Sequence, residues 1–154
     1  MSIDITPKET EYTKRLRELI FPHRDLLIRG KAHTGYIKLM PMVFPFIKDM
    51  LVEEGGAMLF RNIVSQLTPA FNSHINSVYT NLNNYMRDNG DSYGIYRKNI
   101  KKAILDIYGS DSIIKGISPA GGGLIVYESD EGLVNLIKKH IDVKEVKLVS
   151  LNID

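Results

Sequence analysis

The chain lacks cysteine and tryptophan and has no long apolar run. Without cysteine there can be no disulfide framework, thiolate zinc site or cysteine nucleophile. No stretch reaches the roughly 18 apolar residues of a membrane span, and residues 1–5 lack the basic and apolar regions of a signal peptide. The composition is that of an ordinary globular domain, with 44% hydrophobic and 25% charged residues. These absences predict a cytoplasmic protein without a disulfide or a membrane segment.

Charge is unevenly distributed along the chain, although the net value is only +2. Residues 1–38 carry eight lysines and arginines against five acidic residues, and residues 61–115 carry seven against four. Residues 116–154 carry four against six. A patch formed from the two basic blocks would supply the phosphate contacts on which non-specific DNA binding rests.

Residues 72–89 carry the most informative pattern. At about 100° per residue one side of a helix is apolar, with Ile75, Val78, Tyr79, Leu82, Tyr85 and Met86. The other side holds Asn76, Ser77, Thr80, Asn83, Asn84 and Arg87. Asn, Ser and Thr each cost about 0.5–0.7 kcal/mol against Ala in a helix, but they suit hydrogen bonding to base edges in the DNA major groove. The alternative is that a chain with ten asparagines has filled a solvated face.

The spacing of apolar residues and the positions of helix-breaking residues predict an α+β fold. In it, a mainly helical N-terminal part with a helix-turn-helix-like pair precedes a β-hairpin, a helix and a strand. The predicted helices are 7–20, 45–54, 57–67, 73–88, 93–108 and 130–140, and the predicted strands are 112–117, 123–127 and 144–153. Thr6 and Pro7 are expected to open the first helix, residues 23–38 to form a loop, and Pro41 and Pro45 to break the chain. We expect a helical domain at 1–110 with a small portion, 111–154, packed on it. The sequence does not define the boundary sharply, and the two parts could form one domain.

The predicted helices 57–67 and 73–88 suit a helix-turn-helix pair, in which the second helix lies in the groove. Residues 73–83, polar and then Val-Tyr followed by Leu82, resemble the recognition helix of winged-helix regulators, most closely the ferric-uptake-regulator branch. Residues 121–128 resemble the second strand of the wing in that family. The resemblance covers about 45–128 and implies a non-catalytic DNA-binding protein, commonly dimeric. Two departures are the basic helix 93–108 before the wing and the lack of metal-ligand clusters, so no metal or cofactor is expected.

The resemblance implies two groups of nucleic-acid-binding residues. Bases would be contacted from the predicted helix 73–88 by Asn76, Ser77, Thr80, Asn83, Asn84 and Arg87. Phosphates would be neutralised by Arg97, Lys98, Lys101, Lys102 and Lys115. The alternative for the second group is that these cations form the solvent-exposed side of an amphipathic helix and have no role in binding. The N-terminal helix 7–20 is the conjectured dimer element.

The sequence is also compatible with two other functions. In the first, the chain is an interaction subunit whose polar helix face docks on protein. In the second, the glycine loop 119–123 binds phosphate, as in the similar loop of the galactokinase, homoserine kinase and mevalonate kinase superfamily. Pro119 and Leu124 depart from that motif, no Walker ending follows, and the ATP-binding lobe is missing. The carboxylates Asp106, Asp111, Glu128 and Asp130 lack a specific pattern, so catalysis is not expected.

Overall fold

The computed structural model describes residues 9–27, 32–109, 114–115, 123–140 and 142–143. Within them the helices are α1 (Glu11–Ile20), α2 (Ala32–Glu53), α3 (Phe60–Phe71), α4 (Ile75–Asn89), α5 (Ile100–Tyr108) and α6 (Asp130–His140). The strands are β1 (Ala57–Leu59), β2 (Tyr96–Asn99), β3 (Ile114–Lys115), β4 (Leu124–Tyr127) and β5 (Asp142–Val143), and 3₁₀ segments occupy Phe21–Leu27 and Gly90–Tyr93. The predicted α+β class is confirmed. No helix in the described ranges is long and apolar enough to cross a membrane.

The main sheet is antiparallel and has the order β1–β4–β2. Strand β4 pairs with β1 through Met58 and Val126 and with β2 through Tyr96 and Tyr127. The predicted hairpin between 112–117 and 123–127 is wrong, because β3 pairs with β5 instead. Residues 118–122, between the two strands of the predicted hairpin, and the predicted strand 144–153 lie outside the described residues. Sequence-adjacent strands suggested a local hairpin, whereas the pairing that forms is long-range.

Apolar side chains cover both faces of this sheet. Ile125 and Val126 are both fully buried and, as neighbours in a strand, point to opposite faces. Val126 joins a cluster built mainly from α1 to α4. Ile125 joins a second cluster built from α5 and α6 with Ala57. Strand β4 therefore lies between two helical layers, and the segments 1–110 and 111–154 share one sheet.

Helix α1 begins later than the Thr6–Pro7 signal predicts. Thr10 is its N-cap, and Thr10 and Thr13 form a reciprocal capping box, in which the Thr10 N–H donates to Thr13 Oγ1 at 2.9 Å. Glu9 precedes the helix, and residues 6–8 lie outside the described part. A capping box satisfies two of the free N–H groups at a helix start, so the second threonine fixes the boundary.

Helix α2 contradicts the predicted loop at 23–38 and the predicted breaks at prolines. It runs continuously from Ala32 through Pro41 and Pro45 to Glu53. A proline inside a helix costs about 3 kcal/mol. The buried face opposes that cost with Tyr36, Leu39, Met40, Val43, Phe44, Ile47, Met50 and Leu51, each contributing about 1.5–3 kcal/mol. Both prolines lie on the exposed face, where water can hydrogen-bond the carbonyls they leave free.

Two further predicted helices begin with a strand instead. Residues 57–59 form β1, and α3 then continues through Pro69 to Phe71, beyond the predicted end at 67. Residues 96–99 form β2, and Asn99 caps α5 by accepting from the Lys101 N–H at 2.9 Å. Helix α6 and strand β4 are confirmed within a residue.

Candidate nucleic-acid interface

Helices α3 and α4 pack together and are joined by only three residues, 72–74. Asn72 adopts a left-handed conformation with φ 52°, which ends α3. His74 caps α4 by accepting from the Asn76 N–H at 3.1 Å. Helix-turn-helix pairs have a connection of this length.

The connection is held against α2 by Tyr36. This ring is fully buried and meets Phe71 edge to face, with 5.4 Å between the ring centroids. Burial raises the pKa of Tyr36, and the Ser73 hydroxyl beside it acts in the opposite direction. Tyr36 therefore fixes the end of α3 and the turn that leads into α4.

The apolar side of α4 determines which side faces outward. Val78, Leu82 and Met86 are buried in the core. On the two flanks, Tyr79 contacts Phe60 with 4.8 Å between ring centroids, and Tyr85 contacts Phe44 at 4.9 Å. Rings wedged on both flanks prevent the helix from turning about its axis, so the polar side is held in one orientation.

Five of the six predicted base-contacting residues are exposed on this outward side. They are Asn76, Ser77, Thr80, Asn84 and Arg87, and we call them the polar row. Asn83 differs, because it is half-buried and its Oδ1 is enclosed without a hydrogen bond from the described residues. A bidentate contact to adenine needs both amide atoms free, so Asn83 does not belong to the polar row. Among the described residues, Arg87 has only an exposed ion pair with its neighbour Asp88, at 3.1 Å.

The basic residues are arranged differently from the prediction. A single helix would place Arg97 and Lys98 beside Lys101 and Lys102, whereas the first two lie on β2 and alternate between its faces. Lys101 and Lys102 are exposed on α5. For Lys115 the structure gives the position on β3, opposite Asp142.

Asp106 on α5 connects two of these lysines. Lys98 Nζ lies 3.0 Å from its Oδ2, and Lys102 Nζ lies 3.3 Å from its Oδ1. Burial opposes the charge of Lys98, but the hydrogen bond to Asp106 and the nearby Tyr127 outweigh it and raise the Lys98 pKa. The hydrogen bond from Lys98 lowers the pKa of Asp106, and Lys102 adds to the effect.

Three of the predicted cations meet at one cavity of about 500 Å³. We call it the β2 cleft; it is lined by Met86, Arg87, Asp91, Ile95, Tyr96, Arg97, Lys98, Asn99, Leu124 and Tyr127. The structure thus brings the C-terminal end of α4 and the cations of β2 together. Lys101 and Lys102 do not line the cleft, and Lys102 connects to it through Asp106 and Lys98.

Sequence reasoning missed one aromatic neighbour in this region. Tyr96 falls within the predicted helix 93–108, but it lies on β2 opposite Tyr127, with 5.7 Å between the ring centroids. Tyr96 is 42% exposed. The four residues of β2 are too few to show strand alternation, so only the pairing with β4 reveals this position.

The chain matches no family model, no curated protein and no solved structure in comparisons with known proteins. Within the described ranges, no three histidine or acidic side chains lie close enough together to hold a metal ion.

Proposed function

We propose that the chain is a non-catalytic protein that binds double-stranded DNA in the manner of a winged-helix regulator, with α4 in the major groove. The observation that carries the proposal is the polar row, a line of short hydrogen-bonding side chains held outward by a helix whose other side is locked into the core. Such side chains have the reach and the donors and acceptors that base edges require.

The order of the elements also supports this proposal. In winged-helix domains two antiparallel strands follow the recognition helix and pack on the helical core. Here β2 and β4 follow α4 and are antiparallel neighbours, while β1, between α2 and α3, adds a third strand beside β4. The departure is the connection from β2 to β4, which contains α5 and β3 instead of a tight turn.

The polar row and the cations would have different roles. Asn76, Thr80 and Asn84 would hydrogen-bond base edges, and Arg87 would reach guanine at the end of the row. Lys101 and Lys102, exposed on α5, would contact phosphate, because α5 stands in the connection that forms the wing tip in related domains. Arg97, Lys98 and Lys115 stay predicted phosphate contacts.

Salt dependence of duplex binding tests this proposal. We expect fluorescence anisotropy with a random-sequence duplex to show affinity falling steeply between about 50 and 200 mM salt. The double variant Lys101→Gln/Lys102→Gln should reduce the slope of log affinity against log salt by about 2, or about 0.9 per lost phosphate contact.

The matched control is Lys14→Gln, an exposed charge on α1 outside the proposed surface. It should leave the slope unchanged. No duplex binding at about 50 mM salt would contradict the proposal and leave the protein-interaction alternative. A control effect as large per removed charge as that of the double variant would show that net charge, not this surface, causes the binding.

A further inference from the structure

We infer that the β2 cleft binds a small ligand that combines phosphate with a planar ring, of the mononucleotide class. The inference rests on the cleft itself and does not require the proposed DNA binding. The cleft lies between the C-terminal end of α4, the 3₁₀ segment after it, and β2. Its volume of about 500 Å³ falls within the range of roughly 300–1,000 Å³ that is usual for small-molecule sites.

The charges around the cleft favour an anion. The lining contains three cations, Arg87, Arg97 and Lys98, and one carboxylate, Asp91. Asp106 already engages Lys98, but Arg97 has no ion pair with any described residue and Arg87 has only its exposed neighbour. A concave surface with excess positive charge concentrates the field and attracts anions. Arg97 is thus left to receive a ligand, and Arg87 can join it because its exposed pair with Asp88 is a weak interaction.

Guanidinium groups favour phosphate among anions. Their planar fork donates two parallel hydrogen bonds, which match the oxygens of phosphate. Arg97 is half-buried, so water screens its interaction with a ligand less than it would at an exposed site. Arg97 is therefore the main phosphate-binding residue of the cleft, and Arg87 is the second.

The remaining lining suits the ring of a nucleotide. Tyr96 lies on the opposite face of β2 from Arg97, is 42% exposed, and offers a ring for stacking to a ligand that extends across the edge of this strand. Met86 and Leu124 contribute apolar surface, while Asp91 can accept hydrogen bonds from ribose hydroxyls or a base amino group. No described strand pairs with the outer edge of β2, so its backbone N–H and C=O groups are available to polar edges of the base.

Occupancy of the cleft would affect DNA binding, because Arg87 belongs both to the cleft and to the polar row. A phosphate on Arg87 removes its charge and its donors from the groove. A bound mononucleotide should therefore weaken duplex binding, and duplex should weaken nucleotide binding by the same factor.

Isothermal titration of the full chain without DNA tests the site, with AMP, GMP, adenosine and inorganic phosphate as probes. We expect AMP or GMP to bind saturably and more tightly than either adenosine or phosphate. Arg97→Gln should weaken nucleotide binding about tenfold or more, as expected for losing a charged hydrogen bond. Tyr96→Leu should weaken nucleotide binding but leave phosphate binding unchanged.

The control is Lys14→Gln, which removes the same charge from an exposed position on α1 outside the cleft and should change nucleotide affinity less than about twofold. Thermal unfolding of each variant verifies that it is folded. No saturable binding of AMP or GMP, equal losses in Arg97→Gln and Lys14→Gln, or phosphate binding as tightly as the nucleotides would overturn the inference. Duplex titrations are run separately without nucleotide, so failure of DNA binding leaves this result intact.

Discussion

At the residue scale, Gly132 shows how closely α6 approaches the first part of the sheet. A Cβ at this position would lie 2.5 Å from the Gly56 carbonyl carbon and 2.6 Å from its Cα. The Glu128 N–H donates to the Gly56 carbonyl at 2.9 Å, and the Gly132 N–H donates to Ser129 Oγ at 3.0 Å. Backbone meets backbone here, so a side chain cannot be accommodated by rotating a neighbouring group.

Gly132→Ala should therefore destabilise the protein. In an ordinary helix the same change stabilises by about 1 kcal/mol, but the clash should reverse the sign and lower the free energy of unfolding by about 1–3 kcal/mol. Urea denaturation measures the difference. Asn135→Ala, at an exposed position of the same helix, is the control and should stabilise by up to about 0.7 kcal/mol. A stabilised Gly132→Ala variant would show that α6 and the 55–56 turn are farther apart.

Asn83 is half-buried, although it belongs to the polar side of α4 by its spacing. Periodicity assigns it to the polar side of α4, but it lies at the flank toward Tyr79, and neighbouring side chains enclose its Oδ1. Helical periodicity gives the direction in which a side chain points, but it does not show whether neighbouring elements bury that side chain. The central part of the polar row was predictable from sequence, and its border was not.

At the element scale, Asp106 ties β2 to α5. Its folded-state pKa is lowered, first by the hydrogen bond from Lys98, so its contribution is present above the unfolded value near 3.8 and is lost as the pH falls through the folded value. We expect Asp106→Asn to reduce the free energy of unfolding by about 0.5–1 kcal/mol at neutral pH, in the range for partly exposed pairs. The difference from wild type should shrink as the pH falls below about 4.

Chemical denaturation of both proteins across that pH range measures the effect. The exposed pair of Arg87 with Asp88 supplies the control, because Asp88→Asn should change the free energy of unfolding by less than about 0.5 kcal/mol. An Asp106→Asn difference that stays constant down to about pH 2 would mean that the charge of Asp106 makes no contribution to stability.

Predictions for whole elements succeeded where one periodic pattern ran without interruption. Helices α4 and α6 and strand β4 were found from apolar spacing alone. The C-terminal part of helix α2 was predicted as the helix 45–54, but the part before Pro45 was missed. Local rules treat Pro41 and Pro45 as helix breakers, whereas burial of the opposite face outweighs their cost. The short strands β1 and β2 were missed because their pairing with β4 is long-range, with about 25 to 70 residues of chain between partners.

At the scale of the whole molecule, β4 organises both layers. It pairs with strands from two distant parts of the chain and has buried side chains on both faces. The sheet places the end of α4 beside β2, and this gathers Arg87 and Arg97 at one cleft. Sequence alone identified these cations as candidates, but their meeting depends on the β2–β4 pairing and could not be predicted from spacing.

The central claim is that the polar row of α4 distinguishes DNA sequences. Selection of bound duplexes from a random pool tests it most directly, with wild type and the triple variant Asn76→Ala/Thr80→Ala/Asn84→Ala, whose three positions are exposed and should not disturb folding. Wild type should enrich a shared motif, and the variant should lose the motif while keeping salt-dependent affinity. Recovery of the same motif by both proteins, or of no duplex by wild type, would contradict the claim.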